Sequence, residues 1–156
     1  MDKIVGFDLS TPNVDGTDNV TLYLLELLNS YPLLDGEEIR FQSIKSGNMT
    51  MVPTSNVAIL SERKSITGHV VQKCQYAFQI YRTAKGLSEN NQIRYKEFLD
   101  NMGLWLQGLN YPAMAEGMKM DSIKPSNTSA LYMREDNQSE AWMIPITATY
   151  IREFDK

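Results

Sequence analysis

The chain has 156 residues, of which 42% are hydrophobic and 22% charged, and its formal net charge at pH 7 is −4. That length suits one domain with a real core, and the acidic balance argues against a protein that holds phosphates by bulk positive charge. A single cysteine excludes an internal disulfide and a thiolate metal cage, and no stretch reaches the roughly twenty apolar residues that cross a bilayer.

In chain order, residues 1–16 read as an arm. Ser10-Thr11-Pro12-Asn13 and Asp15-Gly16 are turn chemistry, leaving Ile4, Val5, Phe7 and Leu9 as a short apolar run that is too brief for a secretory core. Residues 17–156 read as one domain. Thr17 or Asp18 can cap a first helix, whose stripe is Val20, Tyr23, Leu24, Leu27 and Leu28, widened by Leu22 and Leu25. Pro32 stops it, because the residue before a proline is pushed out of helical conformation. Residues 38–43 alternate as a short strand, and Met49, Met51 and Val52 supply another before Pro53.

The stretch 56–83 then reads as a long antiparallel hairpin that reverses at Thr67-Gly68, where glycine accepts positive φ. Val70, Gln72, Cys74, Tyr76, Phe78 and Ile80 fall on one face, and Val71, Lys73, Gln75, Ala77, Gln79 and Tyr81 on the other. Such a strand exceeds the usual five or six residues, so it either curls over a helix or projects to a partner. Ser88 caps a second helix running to about Gln107, with Tyr95, Phe98, Leu99, Met102, Trp105, Leu106 and Leu109 at core spacing. Gly103 inside it costs about 1 kcal/mol relative to alanine, which points to a close helix–sheet approach. Residues 113–119 are too broken to assign, 120–124 are a candidate strand, and 128–134 with 141–154 form a second hairpin. Pro145, which has no amide donor, predicts a bulge or a sheet edge in its last strand.

The element order gives an α+β fold: an antiparallel sheet with a long central hairpin and two helices packed on one face. No catalytic, metal-binding or cofactor-binding constellation is legible. The one histidine, His69, falls near the hairpin turn, and no glycine-rich phosphate loop opens a helix. Cys74 reads as a small buried hydrophobe. An alternative is a small ligand-binding enzyme in which Cys74, Tyr76 and Tyr150 line a pocket and His69 serves as base.

The stretches YLLELLNSYPLLDG, ILSERKSITGHVVQKCQYAFQIYRT and SALYMREDNQSEAWMIPITATYI resemble minor capsid proteins of phages and prophages of Gram-positive bacteria. Those in turn are similar in layout to the tail-terminator proteins of long-tailed phages. The polar hairpin tip followed by Q-x-x-F-Q-I-Y-R, a turn and a helix is the most recognisable piece, and the likeness covers roughly residues 17–154. The resemblance implies a structural virion protein rather than an enzyme: a homo-oligomeric ring, typically a hexamer, that caps the tail tube and joins tail to head. It implies as partners the tail tube protein and a head–tail connector protein, with DNA sliding through the pore unbound and no membrane. It also implies synthesis in the host cytoplasm and residence at the head–tail junction, and a different connector subunit is the nearest alternative. On this reading the hairpin residues Glu62, Arg63 and Lys64 and the arm residues Ile4 and Phe7 contact neighbouring subunits.

Overall fold

The computed structural model describes residues 20–34, 36–42, 49–54, 58–85, 88–134 and 139–155. The arm with Ile4 and Phe7, the capping residues Thr17 and Asp18, and the turn at 135–138 lie outside them. The elements are α1 (Val20–Leu28), a single 3-10 turn at Pro32–Leu34, β1 (Ile39–Phe41), β2 (Met49–Pro53), β3 (Ala58–Lys64), β4 (His69–Lys85), α2 (Glu89–Gln107), β5 (Met118–Pro125), β6 (Ala130–Arg134) and β7 (Ser139–Asp155). The fold is α+β.

A seven-stranded sheet is built on one ribbon. β4 and β7 pair antiparallel in unbroken register from His69↔Asp155 to Lys85↔Ser139. At roughly 3.3 Å per residue, these strands of 17 residues each span about 55 Å. β2 and β3 follow one another along the outer side of β4, and β6 and β5 along the outer side of β7. One expectation needs correcting: the sheet is mixed, because β1 runs parallel to β2. Pro145 also lies elsewhere than expected, in a central strand and without a bulge against β4. It falls between the last partner in β6 and the first in β5. Its carbonyl, which accepts from the Ser126 amide at 2.9 Å, points into that gap. The missing amide proton would point the same way, so no ladder bond is lost.

Both helices cover the same face. Cross-strand partners share a face, so Cys74, Tyr76, Phe78 and Ile80 lie beside Tyr150, Ala148, Ile146 and Ile144. All eight are buried. α1 meets this face through Thr21, whose hydroxyl lies 2.6 Å from that of Tyr76. α2 meets it at Gly103, where a Cβ would stand 2.6 Å from Pro125 Cγ and 3.1 Å from Ile144 Cδ1. That is the close approach the glycine predicts. Ser88 caps α2 by accepting from the Asn91 amide, and Gly108 closes its far end. The 19 residues of α2 cover only about 28 Å at 1.5 Å per residue, half the length of the ribbon. Opposite the helices, the second face of the sheet carries no layer among the described residues.

Two further contacts fix the helical layer. The Arg82 guanidinium stacks 4.1 Å from the Tyr95 ring centroid and 4.4 Å from that of Phe98, and also meets Glu37 at 3.2 Å. Buried Ser129 donates its hydroxyl to the Lys96 carbonyl, and its amide donates to Asp100. Burial pushes the Asp100 carboxyl up, but the Lys96 ammonium at 2.8 Å and the Ser129 amide together outweigh it and hold the group below its ordinary range.

Candidate functional site

The region that extends past the helices is the β3–β4 hairpin. Its turn is built locally: the Gly68 amide donates to the Ser65 carbonyl, the Ser65 amide to the His69 carbonyl, and the His69 amide to the Ser65 hydroxyl. Gly68 takes φ +89°, a value that glycine adopts without a Cβ clash. β3 pairs only with β4, so its outer edge has no strand partner among the described residues. All seven of its residues are exposed. Among them Ile59 and Leu60 are 55% and 51% exposed, and Ile66 in the turn is fully so. Leu60 is the extra residue of a bulge between Ile59 and Ser61, which bends the edge and blunts it against unlimited strand addition.

The three charged residues expected at this tip divide between the two faces of the sheet. Glu62 and Lys64 oppose Gln72 and Val70 on the helix-bearing face, whereas Arg63 opposes Val71 on the open face. Gln72 is buried and donates to Glu62 at 2.6 Å, while its own side-chain carbonyl has no partner among the described residues. This buried amide interrupts the continuous apolar cluster along β4, with Val70 buried beyond it toward the tip.

The pocket imagined for an enzyme is not assembled. Cys74, Tyr76 and Tyr150 are buried together beneath the helices, and His69 is on the opposite face. There its Nδ1 lies 2.9 Å from Asp155 and its Nε2 3.7 Å from Glu153. The hydrogen bond to Asp155 is the main cause that raises the His69 pKa above its ordinary value. No group of three metal-ligating side chains occurs among the described residues.

Two shallow grooves border the helices. One of about 460 Å³ lies between α1 and Pro112. Its Tyr23 hydroxyl donates to the Pro112 carbonyl, and burial, with Tyr111 nearby, pushes its pKa up to about 12. The other, of about 430 Å³, separates α2 from residues 125–128 and is floored by Ile144. The Ser30 hydroxyl in the first donates to the Leu27 carbonyl and the Ser126 hydroxyl in the second pairs with that of Thr147, rather than with the carboxylates Glu26 and Asp100 that line the same grooves, so both read as surface relief between packed elements.

The open face of the sheet holds what sequence reasoning missed. Register places Arg40, Arg63, Lys73, Lys119 and Lys124 on it, all exposed. None has a carboxylate within ion-pair distance among the described residues. Lys73 is legible in the alternation of β4. The lysines of β5 are not, because the bulge at Asp121, between Met120 and Ser122, shifts their phase. No helix among the described residues is long and apolar enough to cross a membrane. In comparisons with protein-family models and with curated proteins, the chain matches none.

Proposed function

We propose that this chain is a structural subunit of a phage virion: a ring-forming tail terminator that caps the tail tube and joins it to the head. The observation that carries the reading is the mismatch between a ribbon of about 55 Å and a helix of about 28 Å. It leaves a β3–β4 hairpin whose apolar side chains Ile59, Leu60 and Ile66 face solvent. Exposed apolar surface rimmed by charge is what an assembly protein needs, because association removes it from water. The resemblance of the element order to tail-terminator and minor capsid proteins supports the same role. The partners are further copies of the chain, the tube protein below and a connector above.

The test is light scattering over a range of concentrations, then negative-stain imaging alone and with tail tubes of the cognate phage. Rings of about six subunits that close the tube ends support the reading. A chain that stays monomeric and leaves tube ends open overturns it, and rings that bind heads but not tubes reassign it to a connector. Removing residues 1–10, which include Ile4 and Phe7, is expected to leave the melting temperature unchanged and impair ring formation. Rings of undiminished yield would remove the arm from the proposal.

A further inference from the structure

We propose that the open face of the sheet docks onto the outward stripe of α2 in a second copy of the chain, so that subunits join head to tail. The inference rests on the ring-subunit reading above and adds two surfaces to the hairpin and arm that it names. Among the residues whose side chains are described, five exposed cations share the open face. The two acidic side chains that register places there, Glu153 and Asp155, are drawn to His69 at one end. Lys73 and Lys119 stand opposite each other across Ile151 of β7, about 10 Å apart over two strand spacings. Lys124 lies further along β5, beside Thr147. Ala77, Gln75 and Thr149 lie between Lys73 and Lys124, and the one acidic residue between Lys119 and Lys124 is exposed Asp121 at the β5 bulge.

The complementary surface is on the far side of the same domain. A helical turn of 3.6 residues puts Glu89, Ile93, Glu97 and Leu104 on one stripe of α2, opposite Leu99, Met102 and Leu106. Ile93 is 49% and Leu104 65% exposed, and neither Glu89 nor Glu97 has an ion-pair partner among the described residues. Two carboxylates and two apolar side chains thus face outward on one side, and unpaired ammonium groups around Ile151 on the other. The helices and the open face bound a two-layer domain from opposite sides. A contact between them is therefore heterologous, repeats from copy to copy, and generates a ring when the rotation closes. Charges exposed on both surfaces select the partner and its orientation more than they add affinity.

The experiment uses the full chain and two charge-swapped variants. One carries Lys73→Glu, Lys119→Glu and Lys124→Glu; the other carries Glu89→Lys and Glu97→Lys. Sedimentation velocity follows each alone and both mixed, at low salt (~50 mM) and high salt (~500 mM), with melting curves to verify folding. The wild-type chain is expected to self-associate more tightly at low salt. Each variant alone should associate about tenfold more weakly or worse. An equimolar mixture should recover assembly, because every contact between unlike copies again sets acid against base.

Either variant assembling like wild type, a mixture that fails to recover, or a wild-type chain that is monomeric throughout overturns the proposal. Duplex DNA binding that the triple variant loses while its self-association is untouched also overturns it, and gives the open face to nucleic acid. Rings that survive both variants sink this interface and leave the tail-terminator reading standing. Swap-restored dimers or filaments that ignore tail tubes keep the interface and sink that reading.

Discussion

The two ends of the β4–β7 ribbon carry one alternating pattern to opposite results. At the helix-covered end, Phe78, Ile80, Ile144 and Ile146 are sealed beneath α1 and α2. At the hairpin end, β3 offers Ile59 on the same face as buried Cys74, yet Ile59 is more than half exposed. Period-two alternation states which residues share a face, but burial depends on whether another layer arrives to cover that face. The helical layer ends before the ribbon does.

The largest effect expected from this contrast is in packing. Leu106→Ala, in the stripe that seals the covered end, should cost about 3 kcal/mol through lost contacts and a residual cavity. Ile59→Ala at the hairpin should stay within about 0.5 kcal/mol for the monomer. Urea unfolding of both variants measures the difference, and equal losses would erase the distinction between the two ends.

Gly117 sharpens the contrast from the backbone side. It takes φ +79°, and a Cβ there would stand 2.6 Å from the Glu153 carbonyl oxygen. Gly117→Ala is expected to cost about 2 kcal/mol, because backbone rather than a flexible side chain must yield. The Gly117 carbonyl also accepts from the Glu153 amide at 2.7 Å, so hydrogen exchange at Glu153 should speed up with the loss. Unaltered exchange and stability would mean that β5 can slide to make room.

Ser88→Ala removes the side-chain acceptor at the start of α2 and should cost about 1 kcal/mol. The loss should appear at the covered end alone, as faster exchange of the first-turn amides of α2 with the β3–β4 ladder unchanged. Equal loosening of that ladder would show that the two ends unfold together.

The smallest effect belongs to the hairpin end. His69, held by Asp155 and Glu153, has a folded pKa above its unfolded value. Its contribution is full below about pH 6.5 and is lost as pH rises through the raised folded value. Since the chain has one histidine, an NMR titration reports it without ambiguity. Asp155→Asn should return the pKa toward its ordinary value. The melting temperature should fall below wild type at pH 5.5 and converge with it at high pH. A variant whose histidine titrates as in wild type would assign the shift to other groups.

Local chemistry was legible where the chain decides for itself. The Thr67-Gly68 reversal, the Ser88 cap, the extent of α2, the close approach at Gly103 and the faces of β4 all follow from neighbours in sequence. Non-local features were not. The parallel pairing of β1 with β2, the position of Pro145 and the bulges at Leu60 and Asp121 depend on which strands become neighbours. The alternation placed Cys74 and Tyr76 on one face of β4, but it could not show that the helices seal that face as core together with Tyr150 and leave His69 outside.

The sequence by itself determined the α+β class, the long central hairpin and the apolar stripes of both helices, because φ/ψ preference, capping and hydrophobic period are properties of contiguous residues. Only the tertiary structure decided which face of the ribbon is covered and how far. It alone brought Lys73, Lys119 and Lys124 from two strands onto one surface opposite the acidic stripe of α2. Register and layer order are set by contacts between residues far apart in the chain, and no local pattern encodes them.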